Sequence, residues 1–61
     1  MNEKAKIYLK KASDLIIEAY LVLGLASKKI ECLELKERVL TIMDDLDKLN
    51  SLIIDIYNEL R

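Results

Sequence analysis

Carboxylates are the first candidates for chemistry in this chain, because they bind hard cations and act as general acids and bases. Asp44, Asp45 and Asp47 lie close together in the sequence. Successive residues of a helix point about 100° apart, so on a helix these three side chains diverge. We therefore expect a solvated acidic surface at this place rather than a metal site.

A second acidic set recurs every three residues, at Glu31, Glu34 and Glu37. A carboxylate-bridged pair of metal ions in a helical bundle needs inward-facing glutamates and histidines placed beside them. The chain has no histidine, and the heptad pattern described below puts these glutamates away from the apolar face. We expect these side chains, too, to be on the surface and to bind no metal.

Nucleophilic side chains are present without a base that would activate them. Ser13, Ser27, Ser51 and Cys32 have no histidine partner anywhere in the sequence, and nucleophilic catalysis requires such a base. The single glycine, Gly24, excludes a glycine-rich loop that would hold a phosphate. The sequence predicts a protein that is not an enzyme and that binds no cofactor.

Four lysines near the N-terminus, Lys4, Lys6, Lys10 and Lys11, leave two interpretations open. Residues 1–29 carry six lysines against three acids, a net charge of +3, whereas residues 30–61 carry four basic residues against eight acids, a net charge of −4. In an antiparallel hairpin the lysines would pair with the acids at 44–47. Alternatively, they form a phosphate-binding patch for nucleic acid, with Tyr8 as its only nearby aromatic residue.

Hydrophobic residues make up 52% of the chain and recur every seven residues. The repeat of the first half is Ala5, Ala12, Ala19 and Ala26. The repeat of the second half is Cys32, Val39, Leu46, Ile53 and Leu60, with Leu35, Ile42, Leu49 and Ile56 between them. Both are the a and d patterns of helices packed along their length. The sequence predicts an all-α protein with an alanine-rich heptad seam.

The two repeats are out of frame by one residue, which favours a turn between two helices over one long rod. Gly24 suits the end of a helix and Ser27 suits the start of the next. We expect one hairpin domain over residues 1–61, with helix 1 at about 3–23, a turn at about 24–27 and helix 2 at about 28–60. Two alternatives remain: helix 1 runs one turn past Gly24, or helix 2 breaks at residues 50–51.

Antiparallel pairing around that turn fixes the expected neighbours of the alanines. It places Ala19 near Cys32, Ala12 near Val39 and Ala5 near Leu46. Cys32 would then be a buried thiol in the seam. The last dozen residues of helix 2 would extend beyond the end of helix 1.

Apolar residues exceed what a two-helix hairpin can bury, because a helix that is apolar nearly all round needs cover on every side. We expect two hairpins to form a homodimeric four-helix bundle, or a higher homo-oligomer. The predicted interface comprises the apolar overhang and a second stripe on helix 2: Leu49, Leu52, Ile53, Ile54, Ile56, Tyr57, Leu60, Leu33 and Leu40.

The length and the alanine heptads resemble the Rop-type helical hairpins, which are RNA-binding regulators of plasmid copy number. The resemblance is one of architecture, and no functional residue is carried over from it. The sequence predicts a non-catalytic, homo-oligomeric module for protein–protein interaction or regulation. The alternative is a small nucleic-acid-binding regulator of the Rop type that uses Lys4, Lys6, Lys10 and Lys11.

The most apolar stretch covers residues 15–26. It is shorter than the roughly 20 residues that a membrane-spanning helix needs, and no apolar signal-peptide segment follows the N-terminus. We expect a cytoplasmic protein without membrane contact.

Overall fold

Two helices account for almost all of the described chain. The structure is a computed structural model that describes residues 2–60, and it contains α1 at Glu3–Lys29 and α2 at Leu33–Glu59. They pack side by side in a body measuring 49 × 14 × 9 Å between Cα atoms. The expected all-α two-helix hairpin is confirmed, and α2 runs without a break through residues 50–51.

The turn lies at residues 30–32, so its predicted position at 24–27 is wrong. Gly24 is inside α1 and has no positive φ. Ser27 is also inside α1, where its hydroxyl donates to the Gly24 carbonyl at 2.8 Å instead of capping the next helix. The backbone becomes extended at Ile30, with φ −84° and ψ 122°, and at Cys32, with φ −70° and ψ 115°. Helix 1 therefore runs a little more than one turn past Gly24, close to the alternative stated above, and helix 2 starts later than predicted.

The flanking charges favour a turn at residues 30–32, which contains no glycine or proline. Lys28 and Lys29 lie in the last turn of α1 and Glu34 in the first turn of α2. Cations stabilise the negative end of a helix dipole and anions the positive end. These local preferences end one helix and start the next.

The pairing of residues between the two helices also differs from the predicted pairing, because the turn lies further along the chain. Ser13 bonds to Asn50, and the Lys6 ammonium lies over the Tyr57 ring. Facing residues of the two helices are therefore equally far along the chain from residues 31–32. Both helices have 27 residues, and the predicted overhang of helix 2 is absent from residues 2–60. Cys32 lies in the turn and is exposed, so its predicted burial in the seam is wrong.

The predicted neighbours of the alanines are wrong as well, because α1 turns a different face to α2. Ala5, Ala19 and Ala26 are exposed and Ala12 is half-buried. On α1, the row of less exposed residues lies one position after the alanines in the sequence, as at Lys6, Ser13 and Ser27. The half-buried residues of α1 between Lys6 and Gly24 are Lys6, Leu9, Ala12, Ser13, Ile16, Leu23 and Gly24; those of α2 are Lys36, Val39, Met43, Leu46, Asn50, Ile53 and Tyr57.

A single hairpin leaves its apolar residues open to water. No hydrophobic residue among the described ones is buried. The only buried residue within 2–60 is Ser27, which is 6% exposed. The accessible surface is 5185 Å², whereas compact monomers of this mass expose about 4,100 Å². Within residues 2–60, neither helix has a stretch long and apolar enough to cross a membrane.

Candidate interaction surface

Small and polar side chains lie among the apolar ones in the contact between the helices. The Ser13 hydroxyl donates to Asn50 Oδ1 at 2.6 Å across the hairpin. Nearer the turn, a Cβ placed on Gly24 would lie 3.4 Å from the terminal methyl of Met43. Serine and glycine on α1 let the two backbones approach, and the Ser13–Asn50 bond fixes the register, because a partly buried amide loses stability when unpaired.

The four N-terminal lysines do not share one surface. Lys6 is half-buried between the helices, with its ammonium 4.6 Å from the centroid of the Tyr57 ring. Lys10 pairs with Asp14 at 3.6 Å. Lys4 and Lys11 are exposed and lie seven residues apart on the outer side of α1. The structure therefore leaves two of the four lysines exposed on one side of α1, whereas the other two contact neighbouring side chains.

Asp44, Asp45 and Asp47 of α2 lie away from the four N-terminal lysines. The register places residues 44–47 level with about residues 16–19 of α1, so their predicted pairing with the N-terminal lysines is wrong. Asp44 instead pairs with Lys48 at 3.1 Å. A hydrogen bond from Lys48 to that carboxylate, and its charge, raise the pKa of the lysine. Within residues 2–60 no three acidic or cysteine side chains come close enough to hold a metal ion.

One side of the hairpin carries a shallow groove of about 370 Å³. Its lining mixes charged, polar and apolar side chains from the open ends of both helices. A smaller depression continues it toward the turn past Ile17 and Asp47. We call this side the groove face and define it by Lys10, Asp14, Ile17, Asp47, Ile54 and Asn58.

The opposite side is free of charge along its two central rows. Ala12 and Ile17 are five residues apart, which separates them by about 140° around α1, and the same holds for Leu49 and Ile54 on α2. Ile17 and Ile54 line the groove together, so Ala12 and Leu49 lie on the other side. Seven-residue spacing extends both rows. We call this side the alanine face: Ala5, Ala12, Ala19, Ala26, Leu35, Ile42, Leu49 and Ile56.

The alanine face is open to solvent at every residue except the half-buried Ala12. Its four large side chains on α2, Leu35, Ile42, Leu49 and Ile56, are 47–50% exposed. Along its α1 edge, Tyr8, Leu15 and Val22 are 56–70% exposed. Predicted seam residues of both helices thus form a continuous apolar surface beside the contact between them.

The predicted interface residues divide among three places. Leu49 and Ile56 belong to the alanine face, and Leu52 lies beside them at 58% exposure. By heptad spacing, Leu33 and Leu40 share the side of Ile54 on the groove face. The remaining three are half-buried toward α1: Ile53, Tyr57 and Leu60. Sequence reasoning missed the α1 half of the alanine face as an open surface, because it assigned those alanines to the contact with α2.

Comparison with known proteins adds no assignment: the chain matches no protein-family model, no curated protein and no solved structure.

Proposed function

We propose that this protein is a non-catalytic interaction module that works as a homodimer, with two hairpins joined in a four-helix bundle, and that regulates or organises another protein by binding it. The observation that carries the proposal is the exposure of the apolar side chains. Sixteen large hydrophobic residues are 39–70% exposed in the single hairpin, and none among the described residues is buried.

Burial of apolar surface is the main favourable contribution to folding and to most protein association. This chain has 52% hydrophobic residues, and residues 2–60 form no buried apolar core, so it gains most of this contribution only when a further surface covers it. The accessible surface of the hairpin, 5185 Å², exceeds that of a compact monomer of this mass by about 1,100 Å². In a standard protein interface each partner buries about 800 Å², so the excess is large enough to form one. A second copy of the same chain can cover this surface without any other protein.

Two separate apolar surfaces support a role beyond self-association. A second copy that covers the alanine face leaves the groove face exposed, where Leu33, Leu40 and Ile54 are 43–68% exposed. Charged residues lie among them, including Lys10, and a mixed surface of this kind is typical of interfaces that form between separately folded proteins. We assign the groove face to the protein partner, which would lay an amphipathic helix along it.

A nucleic-acid-binding regulator remains the alternative, supported by the exposed Lys4 and Lys11 on a helix of net charge +3. Such binding would be electrostatic and would weaken steeply with salt. Lys6 is engaged with an aromatic ring and Lys10 with a carboxylate. Only half of the lysine set is therefore available to phosphates without rearrangement, and we rank this function second.

Association is tested by following thermal unfolding with circular dichroism over a range of chain concentrations. The unfolding midpoint of a dimer rises with concentration, because folding and association are linked by mass action. A midpoint that stays constant across the range contradicts the proposal.

Partner class is tested by capture from a lysate at two salt concentrations with three variants. The variants are Ile54→Asp on the groove face, Thr41→Asp as an exposed control on α2, and a chain with all four N-terminal lysines changed to Ala. One specific protein that is retained at high salt, is lost with Ile54→Asp and is kept with Thr41→Asp supports the proposal. A nucleic acid that is lost with the lysine variant and at high salt supports the alternative instead.

A further inference from the structure

We propose that the second copy docks on the alanine face with α1 of each chain against α2 of the other, around a two-fold axis parallel to the helices. This inference rests on the self-association proposed above and names its surface and geometry. The turns of both hairpins then lie at the same end of the four-helix bundle. The surface, the partner and the arrangement follow from three features of the hairpin.

The first feature is the contrast between the two faces. The central rows of the alanine face contain no charged residue, whereas Lys10, Asp14 and Asp47 lie on the groove face. The cores of homodimer interfaces are depleted of charge and more apolar than other surfaces. The alanine face is also continuous with the existing contact, since Ala12 is itself half-buried against α2. A second copy on this face extends one apolar core.

The second feature is area. The broad side of the hairpin measures 49 × 14 Å between Cα atoms, which is on the order of 700 Å² before side chains are added. A stable specific interface buries about 800 Å² per partner. One complete broad side therefore provides the area that a dimer needs, and a partner covering only one helix would provide about half of it.

The third feature is charge, and it decides between the two possible two-fold axes. Six lysines against three acids give α1 a net charge of +3, and three basic residues against seven acids give α2 a net charge of −4. An axis perpendicular to the helices would place α1 on α1 and α2 on α2, with like charge facing like charge. An axis parallel to the helices places each α1 on the oppositely charged α2.

Side-chain size agrees with the parallel axis. That axis leaves the height of every residue along the bundle unchanged, so each alanine meets a large side chain of the other copy at nearly its own level. The predicted contacts join Ala5 to Ile56, Ala12 to Leu49, Ala19 to Ile42 and Ala26 to Leu35. Each layer then combines a small residue with a large one, which keeps the helices evenly spaced.

Disulfide cross-linking between singly substituted chains tests the arrangement. All variants carry Cys32→Ser, so each chain has one thiol at the position of interest. Ala19→Cys is mixed with Ile42→Cys under conditions of subunit exchange and oxidised. A disulfide forms only where two Cα atoms lie within about 7 Å, and we expect the mixed pair to shift to twice the chain mass.

Two further mixtures are the matched controls. The perpendicular axis would pair Ala12 with Ala19, so efficient cross-linking of Ala12→Cys to Ala19→Cys overturns the parallel arrangement. Efficient cross-linking of Lys10→Cys to Ile54→Cys, which lie at nearly the same level on the groove face, places the second copy on that face and overturns the choice of surface. A dimer that forms none of these cross-links overturns this inference while leaving self-association intact, whereas a monomer overturns both.

Discussion

Gly24→Ala should stabilise the protein, because Gly24 lies in the interior of a helix. Alanine is favoured over glycine there by about 0.8–1.0 kcal/mol. The added methyl would lie 3.4 Å from the Met43 terminal methyl, which is an ordinary van der Waals contact with a flexible side chain. No steric cost opposes the gain, so the free energy of unfolding should rise by about 1 kcal/mol per chain.

Urea unfolding followed by circular dichroism, at equal chain concentrations, measures this change. Glu18→Ala and Glu18→Gly at an exposed position of α1 are the matched controls. They should differ from each other by about 1 kcal/mol, which calibrates helix propensity in this host. If Gly24 instead ended the first helix in a left-handed conformation, alanine would be strained and Gly24→Ala would destabilise the protein. A loss of stability would therefore refute the turn at residues 30–32.

Three further predictions test the hairpin directly. Ser13→Ala should cost about 1 kcal/mol by leaving the Asn50 amide unpaired, and Ser13→Ala combined with Asn50→Leu should recover most of that loss in the same urea assay. Lys6→Ala should cost about 0.5–1 kcal/mol by removing an ammonium from the face of an aromatic ring, whereas Lys4→Ala should be neutral; equal effects would contradict the cation–π contact. Cys32 should react rapidly with a thiol reagent in the native protein, because it is exposed in the turn; protection until unfolding would put it back in the seam.

The two-helix hairpin was predictable because a seven-residue apolar repeat indicates packed helices even when the row that faces the neighbouring helix is assigned incorrectly. Three residues of the predicted a row of α2, Val39, Leu46 and Ile53, are half-buried toward α1, although Cys32 of the same row is exposed in the turn. The predicted d row, which includes Ile42, is instead an open surface at about half exposure. An apolar stripe wider than one contact is ambiguous, because it states which residues avoid water and leaves open which neighbour covers them.

The position of the turn was predicted incorrectly because the prediction gave more weight to Gly24, the only glycine, than to the charges of Lys28 and Lys29. Lys28 and Lys29 are unfavourable at a helix start and favourable at a helix end, and α1 ends at Lys29, so the charges were the better guide. The error moved the symmetry point of the hairpin by about six residues, which changed every predicted pairing. It also produced the apparent overhang of helix 2 and the burial of Cys32, which follow from the same assumption.

The alanine repeat shows why the surface was harder to predict than the fold. Alanines every seven residues indicate close helix packing, but a helix in a bundle has two neighbours. Ser13 and Gly24 already provide the close approach to α2. The alanines are thus available for a different neighbour, and only the register of the hairpin reveals which row faces outward.

The mass of the protein in solution tests the central proposal most directly. Light scattering of the full chain at micromolar concentration should give two chain masses, twice 7.1 kDa, with a fully helical dichroism spectrum. Ile42→Glu on the alanine face should reduce that mass toward one chain, whereas Thr41→Glu, the adjacent exposed residue, should leave it unchanged. A helical, stably folded single chain of the unaltered protein at the same concentration would contradict the account.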